Sequence, residues 1–236
     1  MRDRGGGNFG VITEFVFEPG PLTTPIWSFT AKWTDPNVVR RVIDDWRANF
    51  PGDNDLRLTS FARLSAVQGG SPDPPAIVAG FFIGTQQELE PVARRLLPNT
   101  WGSAKVTYAR VDKVTEEGAC AFQHPEYQPG PPSDAVRALS AFAEAPPGDL
   151  SSTCAGVPFP HKVSSCFPRA GFGAAAVNTI VDYLARSAGS PTDRRYLSLH
   201  SLGGAYGRPN SRSCFAFRNK PFMLQYQAWW ADASNY

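Results

Sequence analysis

The sequence predicts an α+β domain in which one mainly antiparallel sheet carries helices on one of its faces. Three observations lead there. Residues 26–33 alternate strictly between large apolar and polar side chains, the mark of a strand with one buried face. One segment, 36–49, carries apolar residues at helical spacing, and another, 85–97, opens with the spacing of a capping box. Between residues 26 and 97 the elements run strand, helix, strand, strand, helix, which does not follow the regular strand–helix alternation of a parallel sheet.

The first segment, 9–17, is β-branched and aromatic and reads as a strand stopped by Pro19-Gly20-Pro21. In the second strand Trp27, Phe29, Ala31 and Trp33 share one face, and Ser28, Thr30 and Lys32 the other. Asp35 is then a good helix cap with Pro36 at the first helical position. Val38, Val39, Val42, Ile43 and Trp46 form the apolar stripe of a helix over 36–49, which Pro51-Gly52 ends. Strands follow near 56–66 and 77–84, separated by a Gly-Gly-Ser-Pro loop. Thr85 and Glu88 have the spacing of a capping box for a helix reaching about Leu97.

Beyond residue 122 the pattern is looser. Residues 123–132 and 145–160 are rich in Pro and Gly and read as loops, with a short helix capped by Ser133 between them. Residues 172–188 make a helix with Val177, Ile180, Val181 and Leu184 on one side. Strands at 196–202 and 222–230 complete the sheet. No internal repeat is present. Both ends stop without an obvious partner element, so the chain reads as a piece of a larger protein, truncated at both ends.

Composition narrows the function classes. Of 236 residues, 42% are hydrophobic and 19% charged, ordinary for a packed core, and the net charge is only +2. The arginine pairs fall on or beside helices and make no basic stripe, so nucleic acid is not an expected partner. No apolar run is long enough for a membrane span. Four cysteines and three histidines make no zinc pattern. Cys154 and Cys166 can pair in an oxidising compartment or remain buried thiols. No signal peptide follows Met1, so localisation is left unknown. Twelve percent aromatic residues suit either a ring-lined cavity or a plain aromatic core.

Gly5, Gly7 and Gly10 match a dinucleotide-binding fingerprint by letter. That motif needs a strand before it and a helix after it; here only four residues precede it and a strand follows. From these residues alone a simple turn is the default.

The surrounding string Arg-Gly-Gly-Gly-Asn-Phe-Gly-Val-Ile-Thr-Glu-Phe (4–15) resembles the end of the FAD-binding domain in berberine-bridge-type oxidases, which share the p-cresol-methylhydroxylase-like flavin fold. Four further patches follow in order. Lys162–Phe167 resembles the Lys-x-Ser-x-Phe strand of the substrate domain, and Leu199–Ala205 a strand ending in Gly-Gly. Residues Phe215–Lys220 and Phe222–Trp230 resemble a Phe-x-His-Arg segment, with Phe217 in the histidine position, and the strand beneath the flavin ring. The resemblance implies that residues 1–20 are a remnant of the FAD-binding domain and 21–236 an incomplete substrate-binding domain. It places Gly6, Gly7, Asn8 and Gly10 near the cofactor, where glycines allow close backbone approach. The residue that attaches flavin covalently lies upstream in the family, outside this chain, and the missing FAD-domain half is itself an implied partner.

The last strand is chemically the most informative. Met223, Gln225, Gln227 and Trp229 share one face; Leu224, Tyr226, Ala228 and Trp230 share the other, which fits the core. Two amides on one strand face either meet water or bind something polar. By resemblance Gln225 and Gln227 contact a hydroxylated substrate and Trp229 stacks against it. Lys162 reaches the same cavity or extends to solvent. His124, His161 and His200 have no triad-like companions and read as surface or satisfied core residues. No residue is assigned as catalytic base.

Two functions stay open. One is a fragment of an FAD-dependent oxidoreductase acting on an alcohol, sugar hemiacetal or polyketide-like metabolite, inactive by itself. The other is a cofactor-free small-molecule binding module derived from such an enzyme.

Overall fold

A computed structural model of the chain describes residues 24–51, 55–66, 74–110, 161–168, 171–186, 194–202 and 217–229. Strand β1 covers Ile26–Trp33, as its alternation requires. A single 3-10 turn over Pro36–Val38, capped by the Asp35 side chain on the Asn37 amide, leads into helix α1 at Val39–Asn49. Strands β2, Leu58–Ser65, and β3, Ala76–Ile83, follow. Helix α2, Gln86–Leu96, starts with the expected reciprocal cap between Thr85 and Glu88. The strand β4 at Lys105–Arg110 was not expected; its burial is only partial throughout, so it lacks a strong apolar alternation. Strand β5 is His161–Cys166, helix α3 Ala174–Arg186, strand β6 Arg194–Ser201 and strand β7 Phe222–Trp229. The segments expected at 9–17 and from Ser133 lie outside the described residues.

The strands form one seven-stranded sheet in the order β4-β1-β3-β2-β6-β7-β5. All six pairings are antiparallel. The α+β expectation with helices over one face holds. Phe29, Ala31 and Trp33 of β1 lie opposite Gly80, Val78 and Ala76 of β3. They share one buried cluster with Val42, Ile43 and Trp46 of α1, Leu89 and Ala93 of α2, and Val177 and Leu184 of α3. Burying side chains of this size stabilises by about 1.5–3 kcal/mol each, so this layer of apolar contacts holds the helices to the sheet.

Gly80 is needed where it sits. A Cβ there would lie 2.3 Å from the Thr59 carbonyl oxygen and 2.7 Å from Phe29 Cε1, because the Phe29 ring lies across the strand at that point.

The helix layer is locked to the sheet edge by one buried carboxylate. Asp45 of α1, 3% exposed, accepts hydrogen bonds from Asn99 N (3.1 Å), Asn99 Nδ2 (2.7 Å) and Thr100 Oγ1 (2.7 Å). The Thr100 carbonyl in turn accepts from Trp33 Nε1 at 3.0 Å. A satisfied charge of this kind tolerates burial.

Two readings of individual side chains need correction. Tyr226, expected in the core, is 44% exposed. Its phenol is nevertheless pushed above the ordinary value by partial burial, with smaller contributions from Cys166 and Tyr183 nearby. Cys166, considered as a buried or paired thiol, is free and exposed; Cys154 lies outside the described residues.

Candidate functional site on the polar sheet face

The sheet face turned away from the helices is chemically different from the apolar one. Antiparallel register places directly paired residues on the same face, and this assembles three rows across neighbouring strands. Ser65, Tyr196, Gln227 and Val163 form one row. Arg63, Ser198, Gln225 and Ser165 form the second. Phe61, His200 and Met223 form the third. At the usual strand spacing a row of four spans roughly 14 Å, the scale of a small ligand.

The two glutamines are oriented by a directional chain. Gln227 Nε2 donates to Gln225 Oε1 at 2.5 Å, and Gln225 Nε2 donates to Ser165 Oγ at 3.3 Å. Both amides are half-buried, so neither simple alternative, a freely hydrated face or a sealed one, applies. Ser65 and Ser198 are 3% and 5% exposed, which places polar groups in a largely dry setting.

Two aromatic contacts stiffen the other rows. The Arg63 guanidinium lies over the Tyr196 ring, 4.8 Å from its centroid, a cation–π arrangement. His200 stacks on Phe61 with centroids 5.8 Å apart and planes 24° from parallel. Burial lowers the His200 pKa below its ordinary value of 6.5, so the imidazole is neutral at pH 7. Its Nε2 is buried without a hydrogen-bond partner, as is Ser65 Oγ. Buried polar atoms in folded proteins are nearly always satisfied, so these two are exceptions among the described residues.

Of the residues singled out from the sequence, Gln225 and Gln227 fall together on this face. Lys162 does not join them: it lies opposite Ala228, in the phase of the helix-side face, and is exposed. Trp229 closes β7 opposite His161 and Arg194, and its side chain lies outside the described residues, as do Gly6, Gly7, Asn8 and Gly10 and the histidine His124. His200, read from sequence as a surface or satisfied core residue, is neither. Arg63, Tyr196, Phe61 and His200 were all missed as site residues. Their signal was present in the alternation of Tyr196, Ser198 and His200 against Leu197 and Leu199, but the pairing register was needed to bring β6 beside Gln225.

The helix starts at Pro36 and Gln86 are already closed by Asp35 and by the Thr85–Glu88 cap, so neither is open to a diphosphate. Among the described residues no group of three or more His, Cys, Asp or Glu side chains is placed to hold a metal ion.

No protein-family model and no curated protein sequence matches the chain. Solved structures do share its fold. A glucooligosaccharide oxidase from Acremonium strictum superposes with a TM-score of 0.59 at 15% identity, covering 90% of this chain and 39% of that one. A chitooligosaccharide oxidase gives 0.59 at 17% identity, with 90% and 40% covered. BBE-like 1 from Physcomitrella patens gives 0.60 at 14% identity, with 92% and 41% covered. The chain thus has the fold of one part of these proteins and spans about two fifths of their length.

Proposed function

We propose that the polar sheet face is the substrate-facing wall of an FAD-linked oxidoreductase that oxidises a hydroxyl-bearing small molecule. The observation that supports it best is a coincidence of two facts. The chain takes the fold of one portion of several such oxidases over about nine tenths of its length, and its one polar sheet face presents oriented amides, hydroxyls and an unsatisfied imidazole. Residues 21–236 then belong to the substrate-binding domain and residues 1–20 to the FAD-binding domain, with Gly6, Gly7, Asn8 and Gly10 beside the cofactor.

FAD, when bound, supplies the acceptor for hydride from the substrate carbon. The part of this chain is positioning. Gln227 and Gln225, fixed by their mutual hydrogen bond and by Ser165, present amide edges that match hydroxyl groups as both donor and acceptor. The Arg63–Tyr196 and Phe61–His200 pairs hold the neighbouring strands' side chains in place, so that little ordering remains for binding. A glucooligosaccharide is the substrate class favoured by the amide pair; flat polyketides are the alternative favoured by the aromatic content.

The test is calorimetric titration of the purified chain with cellotriose and, separately, with FAD. Saturable cellotriose binding that is lost in Gln225→Leu supports the reading; equal binding by Gln225→Leu sinks it. FAD is expected to bind this chain weakly or not at all, since the helix starts at Pro36 and Gln86 are closed to a diphosphate; a flavin absorbance band at 1:1 stoichiometry would overturn that expectation. A second reading, a cofactor-free binding module, is favoured by the helix starts at Pro36 and Gln86, both already closed by side-chain caps. Adding a separately expressed FAD-domain half distinguishes the two, since only the first predicts oxidation of the sugar.

A further inference from the structure

We propose that His200 is a ligand-contacting residue of this face, its Nε2 hydrogen-bonded to a ligand hydroxyl while Phe61 holds the ring. The inference rests on the reading of the face as a site for a hydroxyl-bearing molecule and adds to it a residue and a chemical preference. Nε2 is buried and has no hydrogen-bond partner among the described residues. The side chains directly across from His200 are Phe61 on β2 and Met223 on β7, neither of which can satisfy it. On its own strand the next residue of the same phase is Ser198, and diagonally Gln225 is already bonded to Gln227 and Ser165. The fold therefore holds a desolvated nitrogen on a face where Ser65 Oγ is likewise unsatisfied.

The state of the ring selects the partner. Among the described side chains of this phase on the two flanking strands and on its own strand, the charged or titratable ones are Arg63 and Tyr196; β7 contributes Met223, Gln225 and Gln227, all uncharged. No carboxylate among them favours an imidazolium, and burial disfavours it. A neutral imidazole carries one donor and one acceptor nitrogen, which suits a hydroxyl group, itself donor and acceptor, in either tautomer. It gives no charge to a carboxylate or phosphate, so the ligand group at this point is a neutral hydroxyl.

Three variants separate contact from structure. His200→Phe keeps the stack on Phe61 and removes the nitrogen. His200→Gln puts an amide close to the position of Nε2, whereas His200→Asn reaches only as far as Nδ1. Binding of cellotriose to the isotopically labelled full chain is followed by side-chain NMR, with thermal unfolding checking that each variant folds. The expectation is that cellotriose shifts the His200 ring signals together with the Gln225 and Gln227 amide signals. His200→Phe and His200→Asn then bind about tenfold more weakly and His200→Gln recovers most of the loss. Wild-type binding also weakens as pH falls through the burial-lowered pKa of His200, while His200→Gln binding stays flat. If the glutamine signals move but His200 does not, and His200→Phe binds as wild type, the role of His200 is overturned and the polar-face site stands. If no signal on the face moves, both are overturned.

Discussion

Replacing Asp45 with alanine tests how the helix layer is fastened to the sheet. The carboxylate is 3% exposed and accepts three hydrogen bonds, from Asn99 N, Asn99 Nδ2 and Thr100 Oγ1. These donors fare differently when it is removed. Asn99 is exposed, so water replaces its lost acceptor and the two bonds together cost about 1 kcal/mol. Thr100 is fully buried, so its hydroxyl keeps its desolvation penalty, about 2 kcal/mol. The expected loss is about 3 kcal/mol, which for a chain of this size lowers Tm by roughly 6–12 °C. Urea unfolding followed by tryptophan fluorescence measures it, since Trp46 and Trp33 lie in the adjoining core. In a Thr100→Val background the stranded hydroxyl is gone, and the same replacement should cost only about 1 kcal/mol. A loss below about 1 kcal/mol in the wild-type background, or equal losses in both, would refute the assignment of Asp45 as the latch.

Three other outcomes are expected. Gly80→Ala destabilises by about 1–3 kcal/mol, because the new methyl meets the Thr59 carbonyl and the Phe29 ring; chemical denaturation reads it, and an unchanged midpoint would mean that β3 can shift. Lys162→Ala leaves cellotriose affinity unchanged, since Lys162 lies in the opposite phase from Gln225, whereas Gln227→Leu weakens it about tenfold by removing one amide and releasing the other; titration of both variants settles the comparison. His200 makes stability depend on acid. Its folded pKa lies below the ordinary 6.5, so the unfolded chain binds the proton more readily. Its contribution is fully present above pH 6.5 and is lost as pH falls through the lowered folded value. His200→Phe should flatten that part of the curve of unfolding free energy against pH.

The comparison of sequence with fold is instructive at particular elements. The alternation of β1, the capping box of α2 and the apolar stripe of α1 were legible because each is a local pattern set by backbone geometry: two-residue periodicity for strands, 3.6 for helices, and side-chain caps for free amides. Strand β4 was missed because an edge strand buries neither face well and so carries a weak alternation. Tyr226 was misplaced for a related reason. Phase tells which face a side chain takes, but how deeply it is buried is a property of the assembled molecule.

Within the candidate site the division is sharper still. The sequence by itself determined that Gln225 and Gln227 share a strand face and that this face is polar, since adjacent residues of a strand must point in opposite directions. Only the tertiary structure decided what stands beside them. Register across β2, β6, β7 and β5 brings Arg63, Tyr196 and His200 to that face and puts Lys162 on the other, and a shift of one residue in any pairing would reverse those placements. Pairing partners separated by some twenty to well over a hundred residues leave no local trace in the chain, and the dryness that keeps His200 neutral exists only once the strands lie side by side.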